Sequence, residues 1–210
     1  LSGERPFKGQ DRVRSKINDA FRTNTNSLVL IKNVKNKSSN YLMKTILLRA
    51  LWVSIGASVA ITLALLATKA TTPFLLASLG GTTLFLFGLS TTPAAQPRAV
   101  FGGHLFSSLI GIIFVQYFGD ATWVSVTAVV ITICVLLLTR TVHPPAGANP
   151  LIMIQAHANF SHIGLTVLVG ISIITFVAWI WSRLGFGTKT YPVSWTQPSP
   201  PTINWSIWGE

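Results

Sequence analysis

Acidic residues are nearly missing from this chain. Five Asp and Glu stand against sixteen Lys and Arg in 210 residues, and only Asp120 and Glu210 lie beyond residue 50. A proton or metal-cation pump ordinarily needs a carboxylate inside the membrane, and this sequence offers none between residues 50 and 119 or between 121 and 209. Charge of either sign is scarce, at 10% of residues, where a soluble domain averages about a quarter. With 50% hydrophobic residues and a mean hydropathy of +0.54, so short a chain has too few charges to keep a soluble surface wet. It reads as an integral membrane protein. Cysteine occurs once, as Cys134 inside an apolar run, so no internal disulfide can form. The four histidines have no cysteine or carboxylate beside them and no pair spaced i, i+4, a poor set for zinc or haem. No cofactor or metal is expected. No nucleophile stands near a base in sequence either, so an enzyme is the least supported class.

The uncharged runs are long. A span needs about 20 mostly apolar residues, and residues 50–68, 99–119, 121–139 and 160–181 meet that need with only His104 and His162 as polar interruptions of note. Two shorter segments between them, 73–90 and 144–157, are each opened by proline. The expected fold is therefore all-α and membrane-integral, with four spanning helices and two shorter proline-opened segments that are re-entrant or broken. Irregular backbone at that depth has to be surrounded by protein or a water-filled cavity.

The chain divides into a basic N-terminal extension over residues 1–49, a transmembrane domain over 50–183 and a Pro/Trp-rich tail over 184–210. Eleven of the sixteen cations precede residue 50. Such an arm suits solvent, anionic headgroups or a partner, and should stay on the cytoplasmic, stromal or matrix side. It has no stacking platform for nucleic acid. The first residue is Leu rather than Met, which fits a processed or a trimmed chain, removal of a targeting presequence being one route; the expected location is an organellar inner membrane of chloroplast or mitochondrion.

Sliding the sequence by 71 residues aligns Trp52-Val53-Ser54 with Trp123-Val124-Ser125, Thr68-Lys69 with Thr139-Arg140, and Pro73 with Pro144. Over residues 52–73 there are nine identities in 22 positions. This reads as two internal repeats, about 50–119 and 121–183. Copies with an odd number of passes would be inverted, as in many secondary transporters; a re-entrant short segment would make them parallel. Gly56, Ala60 and Ala64, and likewise Gly103, Ser107 and Gly111, lie four apart and read as helix-packing ridges.

Chemistry concentrates in TRTVHPPAGANP, residues 139–150. Pro144 and Pro145 suit the first turn of a helix, Gly147 lets backbone approach closely, and Arg140 and His143 stand just before the turn. A helix start with free amides beside two basic groups is suited to a small anion. The rival reading is a plain helix break with Arg140 snorkelling to the interface.

This stretch resembles the HPP transmembrane family, named for the triplet standing here as His143-Pro144-Pro145. A second block, PAAQPRAVFGGHLFSSLIG at residues 93–111, is similar to the family's other signature and supplies Gln96, Pro97, Arg98, Gly102, Gly103 and His104. Residues 77–87 (ASLGGTTLFLF) are similar to the family's short apolar segment. The resemblance covers about residues 45–182. Asn149 stands where a Thr is expected, and the basic head and the tail fall outside the pattern. The resemblance implies a small membrane protein, with nitrite transport proposed for cyanobacterial and chloroplast members.

The expected function is transport of a small monovalent anion, nitrite first. Arg98 and Arg140 would attract it, His104 and His143 would donate hydrogen bonds, and amides after Pro145, near Gly147 and Asn149, would replace its water; Gln96 and Lys69 are second-rank. His157 and His162 are expected at the interface. The alternative is a structural accessory subunit of a larger organellar membrane complex, docked through head and tail. A homo-oligomer is compatible with either.

Overall fold

The computed structural model describes residues 41–68, 77–185 and 189–202, together with Lys16 and Ser39. Two units are distinguished, Leu1–Arg49 and Ala50–Glu210. Of the first, the described residues are mainly the opening turns of a helix that starts at Tyr41, nine residues earlier than the uncharged run predicts. Lys44 and Arg49, both good helix formers, are the charged residues of these turns.

Helix α1 is Tyr41–Thr68. A short helix α2, Ala77–Thr83, runs on as a π-helical segment, Leu84–Gly88. After a 3-10 turn, Pro93–Ala95, helix α3 spans Pro97–Phe118. Gly119, at φ 81°, closes α3 in a conformation that favours glycine, and α4, Thr122–Thr139, returns after a three-residue turn. A second 3-10 turn, Pro144–Ala148, leads into α5, Asn149–Gln155. A π-helical segment, Ile163–Leu168, then runs without a break into α6, Val169–Trp181. The described residues are helical and form no strand beyond one isolated bridge, Thr141 to Ser199.

Three helices, α1, α3 and α4, are long and apolar enough to cross a membrane; Ala77–Gly88 and Val169–Trp181 are shorter apolar helices. The expected fourth span is thus divided between a π segment and α6.

Helix α3 lies at the centre, packed against α4, α5, the 144–148 turn and the π segment before α6. Its small-residue ridge is buried throughout, at Gly103, Ser107 and Gly111. The ridge on α1 is buried too: Gly56 sits against the Trp181 and Phe87 side chains, with Ala60 and Ala64 in the same core cluster. Leu51, Ile55, Leu63 and Leu66 on the other faces of α1 are exposed, as a lipid-facing surface should be.

The tail packs on its own unit. Tyr191 is buried and its hydroxyl donates to the Ala95 carbonyl at 3.0 Å. Ser199 is held by Val142 N–H to its carbonyl and by its own N–H to the Arg140 carbonyl, both 2.9 Å, and its hydroxyl donates to the Val142 carbonyl at 2.7 Å. The Pro/Trp-rich tail thus binds the two loops that carry the sequence motifs.

Candidate functional site

The HPP turn is seated by small residues on two helices. On α2, a side chain at Gly81 would meet the Pro145 ring at 3.0 Å. On α3, a Cβ at Gly103 would stand 2.9 Å from His143 Cβ and 3.0 Å from the Thr141 carbonyl. The Gly-Gly before His104 therefore serves close approach of the HPP loop, and that approach turns the His143 ring into the interior.

There the two motif histidines meet, with ring centroids 5.2 Å apart and both side chains fully buried. They do not bond each other directly. The Thr82 hydroxyl lies between them, 2.8 Å from His104 Nε2 and 3.0 Å from His143 Nε2. His143 Nδ1 is 2.7 Å from the Ala94 carbonyl, and Phe85 of the first π segment lies edge-on to its ring, centroids 5.4 Å apart. His104 Nδ1 is 3.0 Å from Asn149 Nδ2, which also donates to Ser108 Oγ at 2.8 Å.

The partners fix the direction of every link. A carbonyl only accepts, so His143 carries its proton on Nδ1 and presents Nε2 as an acceptor. An amide NH2 only donates, so His104 accepts at Nδ1 and carries its proton on Nε2. Thr82 accepts from His104, and its one proton, which also faces the Ser78 carbonyl at 3.2 Å, is the donor that His143 Nε2 requires at 3.0 Å. The chain runs Asn149 to His104 to Thr82 to His143 to Ala94, with both rings neutral. A buried network satisfied link by link is what a low-dielectric interior tolerates. One atom stands outside it: Asn149 Oδ1 is buried and has no hydrogen-bond partner.

The structure thus brings together His104, His143 and Asn149 of the sequence-predicted site and adds Thr82 and Ser108. The other candidates lie elsewhere. Arg98 is exposed and donates from Nη2 to the Thr139 carbonyl at 3.1 Å. Arg140, at φ 54°, ends α4 and donates from Nε to the Pro200 carbonyl at 3.2 Å and from Nη2 to the Pro201 carbonyl. Both guanidiniums gather at the carboxyl end of α4, the negative end of its dipole. Gln96 is buried, and its amide is engaged in joining loop to tail: Nε2 donates to Ser90 and Thr92 carbonyls at 2.9 Å, and Oε1 accepts from Val193 and Ser194 N–H at 2.9 and 3.2 Å. Pro144 is exposed and Gly147 has open space where a side chain would be. The helix expected from Pro144 begins at Asn149 instead, since the 3-10 turn already ties Ala146 N–H to the His143 carbonyl at 2.9 Å. Lys69 lies outside the described residues. His157 pairs with Asp120 at 3.4 Å on the surface, and His162 bonds Asn159. Among the described residues no three His, Cys, Asp or Glu side chains gather as a metal site.

Two motif blocks far apart in sequence thus meet at one buried cluster, and a family model of the HPP transmembrane region matches residues 43–192. The chain belongs to the HPP transmembrane family. Two transmembrane proteins of Dictyostelium discoideum are similar to it: one 26% identical over 58% of this chain and 45% of its own, the other 33% identical over 59% of this chain and 42% of its own. The chain spans less than half the length of these curated relatives. No solved structure matches. The HPP match ends at residue 192, so Tyr191 lies within it, while Val193, Ser194 and Ser199, which complete the tail's docking, lie beyond.

Proposed function

We propose that this HPP protein carries a small monovalent anion across a membrane, with nitrite as the first candidate. The observation that carries the reading is the buried pair of imidazoles, His104 and His143, in an apolar interior whose sequence supplies no carboxylate. Uncharged N–H and O–H donors without an acid suit a negative passenger and repel a metal cation less well than they bind an anion. Arg98 and Arg140 gather at the end of the bundle where α4 finishes and α3 begins, a positive mouth that would concentrate anions. His104 lies seven residues in from Pro97, roughly 10 Å by helix rise. In this reading the arginines attract the ion, and the donors of Thr82, Asn149 and the two rings replace its water in turn. Gln96 serves the tail rather than the ion.

The test is uptake of nitrite, nitrate and chloride into proteoliposomes. Arg98→Gln and Arg140→Gln should each slow wild-type flux by about ten-fold or more at low salt, and His143→Phe should abolish it. Flux unchanged in both arginine variants would remove those side chains from the mechanism.

A second reading, an accessory subunit of an organellar membrane complex, is favoured by an apolar groove of about 860 Å³ between α1 and α6, lined by Val59, Leu63, Phe176, Ile180, Trp181 and Leu184. A partner helix or a lipid chain fits such a surface. Purification in a mild detergent separates the readings, because a subunit co-purifies stoichiometrically with its complex. We place the basic head on the stromal, matrix or cytoplasmic side of an organellar inner membrane; a split-reporter fusion at the N-terminus reads its side.

A further inference from the structure

The unpartnered Asn149 Oδ1 is the least expected atom in the site. A buried acceptor without a donor costs on the order of 1–3 kcal/mol, and the rest of the cluster is fully paired. The cost is explained if a second state of the cluster uses that oxygen. Rotating the Asn149 amide by half a turn would bring Oδ1 to His104 Nδ1, where the lone pair now accepts. Oδ1 there requires an N–H on that ring nitrogen. One added proton supplies it, and His104 becomes an imidazolium donating to Asn149 from Nδ1 and to Thr82 from Nε2, while Ser108 Oγ turns to donate to the same amide oxygen. The turned amide also gives up its Nδ2–H contact with the His104 carbonyl, 3.4 Å away, and its NH2 takes the place that Oδ1 held.

From that state the proton can move on without moving a heavy atom. The Thr82 hydroxyl proton passes to His143 Nε2 while the His104 Nε2 proton passes to Thr82. One N–H bond breaks at His104, one forms at His143, and the hydroxyl is restored with its direction reversed. His143 is then the imidazolium, donating to Ala94 and Thr82. The geometry points to a proton relay through His104, Thr82 and His143, with Asn149 as the amide that turns to receive the added proton. The pair holds one extra proton at a time, because two imidazoliums with centroids 5.2 Å apart in a buried setting would repel each other.

The surroundings leave the relay to itself. Around the two rings pack α2 with its π segment, the 93–95 turn, α3, the HPP turn and α5. Their titratable or charged side chains are His104, His143, Arg98 and Tyr117; Arg98 is exposed on the Thr139 carbonyl and Tyr117 is 76% exposed. Each histidine therefore has the other as its one titratable neighbour. Building on the anion-transport reading, the passenger crosses together with a proton, as an electroneutral pair, and the relay supplies the positive charge that the interior otherwise lacks.

Two measurements on the full chain in liposomes test this. The first is solid-state NMR with nitrogen-labelled His and Asn, in a background with His157→Gln and His162→Gln so that the buried pair alone is read. At neutral pH one ring should carry its proton on Nε2 and the other on Nδ1. Acidification through the histidine range should give one imidazolium per chain, with the Asn149 amide signal shifting in step. Two imidazoliums or none on acidification, or a neutral His104 protonated on Nδ1 at neutral pH, would each overturn the relay.

The second is nitrite uptake with internal pH recorded, against protein-free vesicles as the baseline. Uptake should acidify the lumen and be indifferent to valinomycin. Thr82→Val should slow the proton movement roughly ten-fold or more, and Thr82→Ser should restore it. Uptake that valinomycin accelerates, without acidification, would sink the coupling and leave transport standing. No wild-type flux of nitrite, nitrate or chloride would instead sink the transport reading and the coupling with it, and the NMR result then judges the relay alone.

Discussion

His143 is tied to Ala94: its Nδ1–H donates to the Ala94 carbonyl at 2.7 Å, and this one contact sets the polarity of a hydrogen-bond chain that reaches as far as Asn149. Ala94 sits in the turn that opens the second sequence motif, so the bond also locks the two motif blocks together. A ring fixed in this tautomer must be met by a donor on its far side, and Thr82 is that donor.

Replacing Thr82 by Val should strand the Nε2 atoms of both rings in a buried setting, at a cost of about 1–3 kcal/mol. Thermal unfolding in detergent should show a lowered midpoint for Thr82→Val, whereas Thr82→Ser, which keeps the hydroxyl, should stay much closer to wild type.

Gln96 holds the tail by accepting from Val193 and Ser194 N–H. Gln96→Leu leaves those donors and the Ser90 carbonyl without the Gln96 amide, so the tail should detach before the helices unfold. Trp195 is 62% exposed, and chymotryptic cleavage after it should quicken several-fold in the variant, with helix content retained.

Two glycines in the central region should respond in opposite ways to alanine. A Cβ on Gly111 would come within 2.8 Å of Pro150 Cα and 3.0 Å of its carbonyl oxygen. Backbone cannot swing aside as a side chain can, so Gly111→Ala should cost about 1–3 kcal/mol. Gly147 has nothing within 4 Å of that position, and Gly147→Ala should be neutral or slightly stabilising. Melting both variants beside wild type checks the contrast.

Burial raises the Tyr191 phenol well above its ordinary value. The folded group ionises later than the unfolded one, so its stabilisation is complete below about pH 10 and is lost as pH rises beyond that. Tail docking should therefore weaken in strong alkali. A fluorophore on Trp195→Cys, in a Cys134→Ser background, would report the release, and Tyr191→Phe should flatten its alkaline limb.

Much of this was legible in the sequence, and the rest was hidden for definable reasons. Uncharged runs marked the helices because hydrocarbon enforces them, and the small-residue ridges on α1 and α3 proved to be packing surfaces. His104 and His143 stood out as polar residues in apolar company. Ser108 carried a signal that was not used: it lies four residues after His104, on the same helical face. Thr82 was only half of a Thr-Thr pair in an apolar segment, and its place between two histidines depends on contacts 22 and 61 residues away. The arginines were visible beside the motifs, but a long side chain can turn either way from its backbone. Arg140 found carbonyls of the tail, sixty residues on, which no local pattern could announce. Gln96 looked like a site residue for the same reason: its partners in the tail are out of reach of a motif.

The tail's docking means that the homologous region and the folded region have different ends. A chain cut at residue 192 would match the family in full, yet Gln96 Oε1 would face empty space where two amides had been. Arg140 would lose the Pro200 and Pro201 carbonyls, and the unpaired guanidinium would be left to seek other acceptors at the rim of the bundle. Trimming to the matched boundaries would thus unlace the loops that frame the histidines, and a truncated preparation would misrepresent their setting in the longer chain.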